Sequence, residues 1–468
     1  MYVTVKGNGI QGESSQNDHL SDRNGCFKME AFHLPQQFPE ENVREERNER
    51  MKLILNNKSD TKVNLSLIAS FFSGIAISVV FCLIITMWPV HNPLGNSQYW
   101  YETIITGIIG WEPFAIVFQV NTCLYYLGTG GWSSLNACVN IWIRAAVAMF
   151  IMLYHIYIFW VYVGEYAWPF PFGGYFVEFL GWLATPALLW FQFPKEWKMN
   201  QQSKRKLRTA LFLPLTMAIG EVVYKGMLWL FQNVNEDYQW TLAFVLVIAR
   251  EVNTLVLSWV GHKITGKDDD LLVEILSAHY AAIKHILFLS VNLVNATPLT
   301  STLILSADFG INIFFCAEVL WYIKNPSEKN EKRKEIAMCT MIINETVEFI
   351  MPIIYSICLL MAYFGPNAEV IGNVKNGLWQ FVAIEDINVT YFWLAVMFLV
   401  DVGSTIITTG ALQIWGNLNV IKSCIQMQKE IGWLLALQQG YLMVEYFNIN
   451  VLSNACDFTL QFDWLNSN

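Results

Sequence analysis

Apolar runs of roughly 20 residues, separated by short polar gaps, recur from about residue 65 to about residue 414. A chain in lipid finds no water for its backbone N–H and C=O groups, so such runs must fold as helices or close into a barrel. At 1.5 Å per residue a run of this length spans roughly 30 Å of hydrocarbon as a helix, whereas a barrel strand needs only about half as many residues. The expected fold is all-α: a polytopic integral membrane helical bundle of about ten transmembrane helices. The runs are 65–88, 103–127, 138–162, 174–193, 209–232, 240–261, 273–295, 299–323, 338–363 and 390–414. The seventh is the least apolar, interrupted by Glu274, His279, Lys284 and His285.

Composition agrees. Of 468 residues, 54% are hydrophobic and only 14% charged, too apolar for an ordinary soluble enzyme. Aromatic residues gather at run ends (Tyr99, Trp100 and Tyr101, then Trp160, Tyr162, Tyr166 and Trp168, then Tyr238 and Trp240), as interfacial belts require. The net charge of −9 is spread along the chain without a basic stripe, so no nucleic-acid partner is expected. The polar start, Met1 to Gln16, lacks the apolar core of a cleaved signal peptide, leaving the first run as the insertion signal. No myristoylation or prenylation pattern is present. The nine cysteines include no CxxC pair and none in an expected outer loop, which argues against a disulfide scaffold and a zinc ribbon.

Basic residues set the orientation. The gap 194–208 holds Lys195, Lys198, Lys204, Arg205, Lys206 and Arg208; the gap 324–336 holds Lys324, Lys329, Lys332, Arg333 and Lys334. Lys263 and Lys267 lie between 262 and 272, and Lys58 and Lys62 precede the first run. Alternate gaps hold only Lys375. With ten spans every basic gap falls on one side, which the positive-inside rule makes cytoplasmic, and both tails are then cytoplasmic. The expected organisation is a largely disordered cytoplasmic tail over 1–62, a transmembrane bundle over 63–415 and a cytoplasmic amphipathic segment over 416–468. Glu40 to Arg50 reads as a charge-laced helix, and Ile431 to Phe447 as an amphipathic helix on the cytoplasmic interface or packed under the bundle. The sequons Asn388-Val389-Thr390 and Asn295-Ala296-Thr297 fall on the outer side, with Asn388 the better glycosylation candidate. The plasma membrane is the favoured location.

Ionic groups inside the runs point to function. A charge at mid-bilayer costs about 3 kcal/mol on insertion scales, so such groups face a bundle interior, a partner or water. Glu345 and Glu348 are three residues apart in the ninth run, without a basic residue in the same run. Pro352 leaves the carbonyl of Glu348 without its helical donor. Two carboxylates beside a freed carbonyl suit a cation or proton site, as do broken helices lining a cavity. The alternative is that the two acids pair with Lys284 or Arg250 and only lock the bundle. Glu112, followed by Pro113, repeats the theme in the second run; Asp308, toward the outside, and Asp401, near mid-depth, add further acids. Glu221 and Lys225, four apart, share a helix face and can pair. Arg250 and Glu251 are adjacent and diverge by about 100°, so at least one should meet another helix. His279 and His285 are six apart, a spacing that does not place two metal ligands on one face, and no metal or other cofactor is expected.

Acids outnumber permanent cations in the runs, so pairing alone does not neutralise them. That favours a transporter or channel for a cation or a proton-coupled small solute, with Glu345, Glu348, Asp401, Asp308 and Glu112 as ion sites and Lys284, Arg250, Glu221 and Lys225 in charge-balancing pairs. Five-helix halves of opposite topology would suit a carrier. A receptor with a ligand pocket between helices is the alternative, and an intramembrane enzyme the third. For the enzyme, Asp308 and Asp401 are the pair an aspartyl hydrolase would need, but no GxSxG elbow, HxxxH pair or Walker sequence is present.

Overall fold

A computed structural model describes residues 40–56, 201–235 except 211, 238–266, 270–364 and 387–453, with a few isolated residues between. These residues are almost entirely helical and include no strand. In chain order the described helices are α1 (Glu40–Leu55), α2 (Gln201–Ala210), α3 (Phe212–Asn233), α4 (Gln239–Thr265), α5 (Leu271–Asn295), α6 (Pro298–Lys324), α7 (Glu328–Phe364), α8 (Ile387–Gly416) and α9 (Val420–Ser453). Five of them, α4 to α8, contain stretches long and apolar enough to cross a membrane, and they coincide with the sixth to tenth runs. The fifth run is α3. The first four runs, and Glu112 with them, lie outside the described residues.

Local chemistry sets where these helices begin and end. Asp270 caps α5, its carboxylate accepting from the Leu272 N–H at 3.2 Å, and Thr297 caps α6 ahead of Pro298, accepting from Thr300 N–H. Helix α4 stops at Gly266, whose φ of 72° returns its N–H to the His262 carbonyl. A side chain in that left-handed conformation costs about 1–2 kcal/mol. Gly266→Val should therefore lower the thermal midpoint in detergent, whereas Gly266→Asn, which tolerates the conformation, should lower it less.

Helix α5 is the centre of the bundle. It packs against α3, α4, α6, α7, α8, α9 and α1, and almost every residue from Leu271 to Ser290 is buried. That accords with its run being the least apolar: its polar groups meet protein. Glu274 accepts from Ser258 Oγ at 2.7 Å and lies 2.6 Å from His262 Nε2. His279 Nδ1 lies 2.8 Å from Gln438 Oε1 of α9, and His285 faces Asp308. Helix α4, by contrast, is two-sided. Leu246, Arg250, Asn253, Leu257, Val260 and Ile264 recur at helical spacing on its buried face; Ile248, Val252, Leu255 and Trp259 are exposed.

Short connectors reverse the chain between α4 and α5, α5 and α6, and α6 and α7. The ends bearing Lys263, Lys324, Lys329, Lys332, Arg333 and Lys334 therefore share one end of the bundle. Helix α8 finishes there as well, so tightly that a Cβ on Gly416 would sit 3.1 Å from Ile323 Cδ1. Helices α1 and α9 also join here. The buried Met51 and Leu55 line one side of α1, and its last turn accepts Ser423 Oγ at the Ile54 carbonyl, 2.7 Å away. Helix α9 continues to Ser453, longer than the expected amphipathic stretch, and buries Ile431, Leu434, Leu435, Gln438, Gln439 and Tyr441. Its Gln439 Nε2 reaches Met351 Sδ at 3.1 Å, one turn beyond Glu348 on α7. This segment lies between helices rather than flat on a surface.

Candidate functional site: a buried carboxylate cluster around Arg250

Five helices each bring an ionic group or a strong hydrogen-bonding group to one place near their midpoints: Arg250 on α4, His285 on α5, Asp308 on α6, Glu345 and Glu348 on α7, and Asp401 on α8. All six are buried. Arg250 Nη1 donates to Asp308 Oδ1 at 2.9 Å and to Glu348 Oε1 at 3.2 Å, and its Nε lies 3.3 Å from Glu251 Oε1. His285 Nε2 stands 3.2 Å from the same Asp308 oxygen. Asn312, one turn after Asp308 on α6, donates its amide to Glu348 Oε2.

Asp308, Glu348 and Asp401 form the tightest acidic group. One carboxylate oxygen from each lies within 4.8 Å of the others, drawn from three different helices. Asp401 Oδ2 is buried with no hydrogen-bond partner among the described residues, and the same holds for Asn312 Oδ1, Arg250 Nη2 and His285 Nδ1. A buried polar atom without a partner costs about 1–3 kcal/mol, more for an ionised group. Arg250 is shared by Asp308, Glu348 and Glu251, and Asp401 stands outside these pairs, so the acids outnumber the guanidinium they surround.

Glu345 belongs to a different subsite. Its carboxylate accepts from the hydroxyls of Thr405 and Thr408 (the latter at 3.0 Å), with Ser404 Oγ at 3.5 Å, all on α8. The two glutamates, expected to act together, are separated by the 60° that three helical residues leave between side chains, enough to send Glu348 toward α4 and α6 and Glu345 toward α8. Glu348 thus takes the Arg250 pairing that the sequence left as the alternative, while Glu345 is held by hydroxyls.

Other expected residues divide as follows. Asp308 and Asp401 approach each other across α6 and α8. Arg250 meets two other helices and reaches its neighbour Glu251 as well. Lys284 lies over the Tyr280 ring, 5.8 Å from its centre, on the turn beside His285. His279 and His285 address different partners, Gln438 and Asp308. Glu221 and Lys225 sit on α3, with side chains outside those described. Asn388 is exposed in the first turn of α8, while Thr390 of its sequon is fully buried.

The sequence reading missed Asn312 and Thr408. Both carry a usable signal: Asn312 is four residues after Asp308, and Asp401, Thr405 and Thr408 follow the i, i+4, i+7 rule for one helical face. Comparison of the chain with models of known families, with curated proteins and with solved structures finds no match.

Proposed function

We propose that this chain is a multi-pass membrane transporter or channel for a cation or a proton-coupled small solute, built from about ten spans with both tails cytoplasmic. The observation that supports this most is the convergence of Asp308, Glu348 and Asp401 from three membrane-length helices, with one guanidinium shared by Asp308 and Glu348. A purely structural lock needs one acid for each base. Here the surplus acid lies at the depth where uncompensated charge is most expensive, and a travelling cation or proton supplies the compensation. The hydroxyl-lined Glu345 offers a neighbouring station for the same species. The basic end of the bundle, carrying Lys324 to Lys334, fits the cytoplasmic face.

The test is flux into vesicles reconstituted with the full chain, driven by a pH or cation gradient. Asp401→Asn and Glu345→Gln should each reduce flux to the level of empty vesicles. Glu318→Gln, whose carboxylate is occupied by Tyr322 Oη at 2.8 Å, should retain it. Undiminished flux in both Asp401→Asn and Glu345→Gln rejects this assignment.

One observation favours a second reading. Asp308 and Asp401 face each other across α6 and α8 as an aspartyl hydrolase requires. Against it, Arg250 and His285 both engage Asp308 Oδ1, so that oxygen is not free to share a proton with its partner. Cleavage of a membrane-embedded peptide by the same vesicles, lost in Asp401→Asn, would establish the enzyme instead.

A further inference from the structure

We infer that Asp308, Glu348 and Asp401, with the side-chain carbonyl of Asn312 as a fourth ligand, bind one calcium-sized divalent cation. The inference deepens the proposed carriage by naming the ion class for that same site, and it rests on that reading only for the ion's movement, not for its binding.

Ligand chemistry is the first argument. The donors are three carboxylates and an amide oxygen, the set that selects hard cations over zinc or copper. Geometry is the second. Oxygens bound at about 2.3–2.6 Å to one calcium-sized ion stand at most about 5 Å apart, and the three carboxylate oxygens lie within 4.8 Å of one another. Magnesium, at about 2.0–2.1 Å, demands a nearly octahedral shell and gives up its waters reluctantly.

Asn312 supplies an observation independent of the acids. It is 1% exposed, its amide nitrogen is committed to Glu348 Oε2, and its Oδ1 has no partner among the described residues. The amide orientation is fixed by that contact, because turning it over would set two oxygens against each other. A buried carbonyl oxygen is thereby held beside a carboxylate with nothing donating to it, which is what a cation ligand needs and a hydrogen-bond lock does not. Asp401 Oδ2 is in the same condition on the facing helix.

Charge is the third argument. Arg250 is shared by Asp308, Glu348 and Glu251, and Asp401 adds an acid outside those pairs, a surplus of negative charge that a divalent ion offsets better than a monovalent one. Arg250 Nη1 holds Asp308 Oδ1 and Glu348 Oε1, which fixes those two carboxylates in advance, as the outer partners of metal ligands do.

Equilibrium dialysis of the purified full chain in detergent against radioactive calcium chloride tests this. The unmodified protein should bind one ion per chain, displaced by excess calcium far better than by magnesium. Asp401→Asn should weaken binding at least about tenfold. Asn312→Ala should weaken it too; Glu318→Gln should bind as the unmodified chain does. Failure of the unmodified protein to bind calcium, or binding indifferent to both Asp401→Asn and Asn312→Ala, overturns the site and leaves Asp401 as a further counter-ion of Arg250. Proton flux by a protein that binds no calcium in the dialysis would overturn the site while carriage stands. Stoichiometric binding with no flux of any ion would support the site while carriage falls.

Discussion

Arg250→Gln should destabilise the bundle by about 3–5 kcal/mol, the usual consequence of removing one partner from a buried ionic group. The side chain is 1% exposed and is the largest of the fully buried ones. Its Nη1 serves Asp308 at 2.9 Å and Glu348 at 3.2 Å, while Nε addresses Glu251. Truncation leaves these acids facing one another in a region of low dielectric. Arg250→Lys should recover only part of the loss, because a single ammonium cannot reproduce a fork that spans α6, α7 and its own helix. The triple change Arg250→Met, Asp308→Asn, Glu348→Gln should recover most of it, since replacing a whole buried ionic group by neutral residues of similar volume is commonly neutral. The readout is the thermal midpoint in detergent, followed by gel filtration. If Arg250→Gln melts with the unmodified protein, the acids around it carry no uncompensated charge, and the electrostatic premise of the site fails.

The expected runs located six described helices, and each helix extends beyond its run at one end or both. A hydrocarbon-length window sees apolar residues only. The caps Asp270 and Thr297, and the charged first turns of α7 from Glu328, lie outside it yet belong to the same hydrogen-bonded ladder. Helix α9 was harder to read. Gln438 and Gln439 suggest a surface when only their own segment is considered, but their partners, His279, the Leu276 carbonyl and Met351, come from α5 and α7. Pairings across 88 to 162 positions leave no trace in local periodicity. The site was legible as a list of acids and illegible as a grouping. Nothing in the spacing of Glu345 and Glu348 tells which neighbour each will face, because that depends on where α4 and α8 pack. Asp308 and Asp401, 93 residues apart by their numbers, become neighbours only through the same packing.

The same distinction between lipid and protein neighbours predicts a large contrast between two leucines. Leu289 on α5 is 0% exposed; Leu255 on α4 is 68% exposed. Both lie in apolar runs, and hydropathy does not separate them. Leu289→Ala removes side-chain atoms from a helix enclosed by protein on every side, where neighbours relax only partly, and should cost about 2–5 kcal/mol. Leu255→Ala exchanges one apolar surface for a smaller one against fluid acyl chains, which refill the space, and should cost a fraction of that. In the membrane the hydrophobic effect does not drive helices together, so what Leu289 contributes is close packing and not transfer from water. Thermal midpoints of the two variants in identical micelles measure the contrast. Equal losses would mean that α5 is not the enclosed helix, and the arrangement that brings Arg250, Asp308, Glu348 and Asp401 together around it would fall with that result.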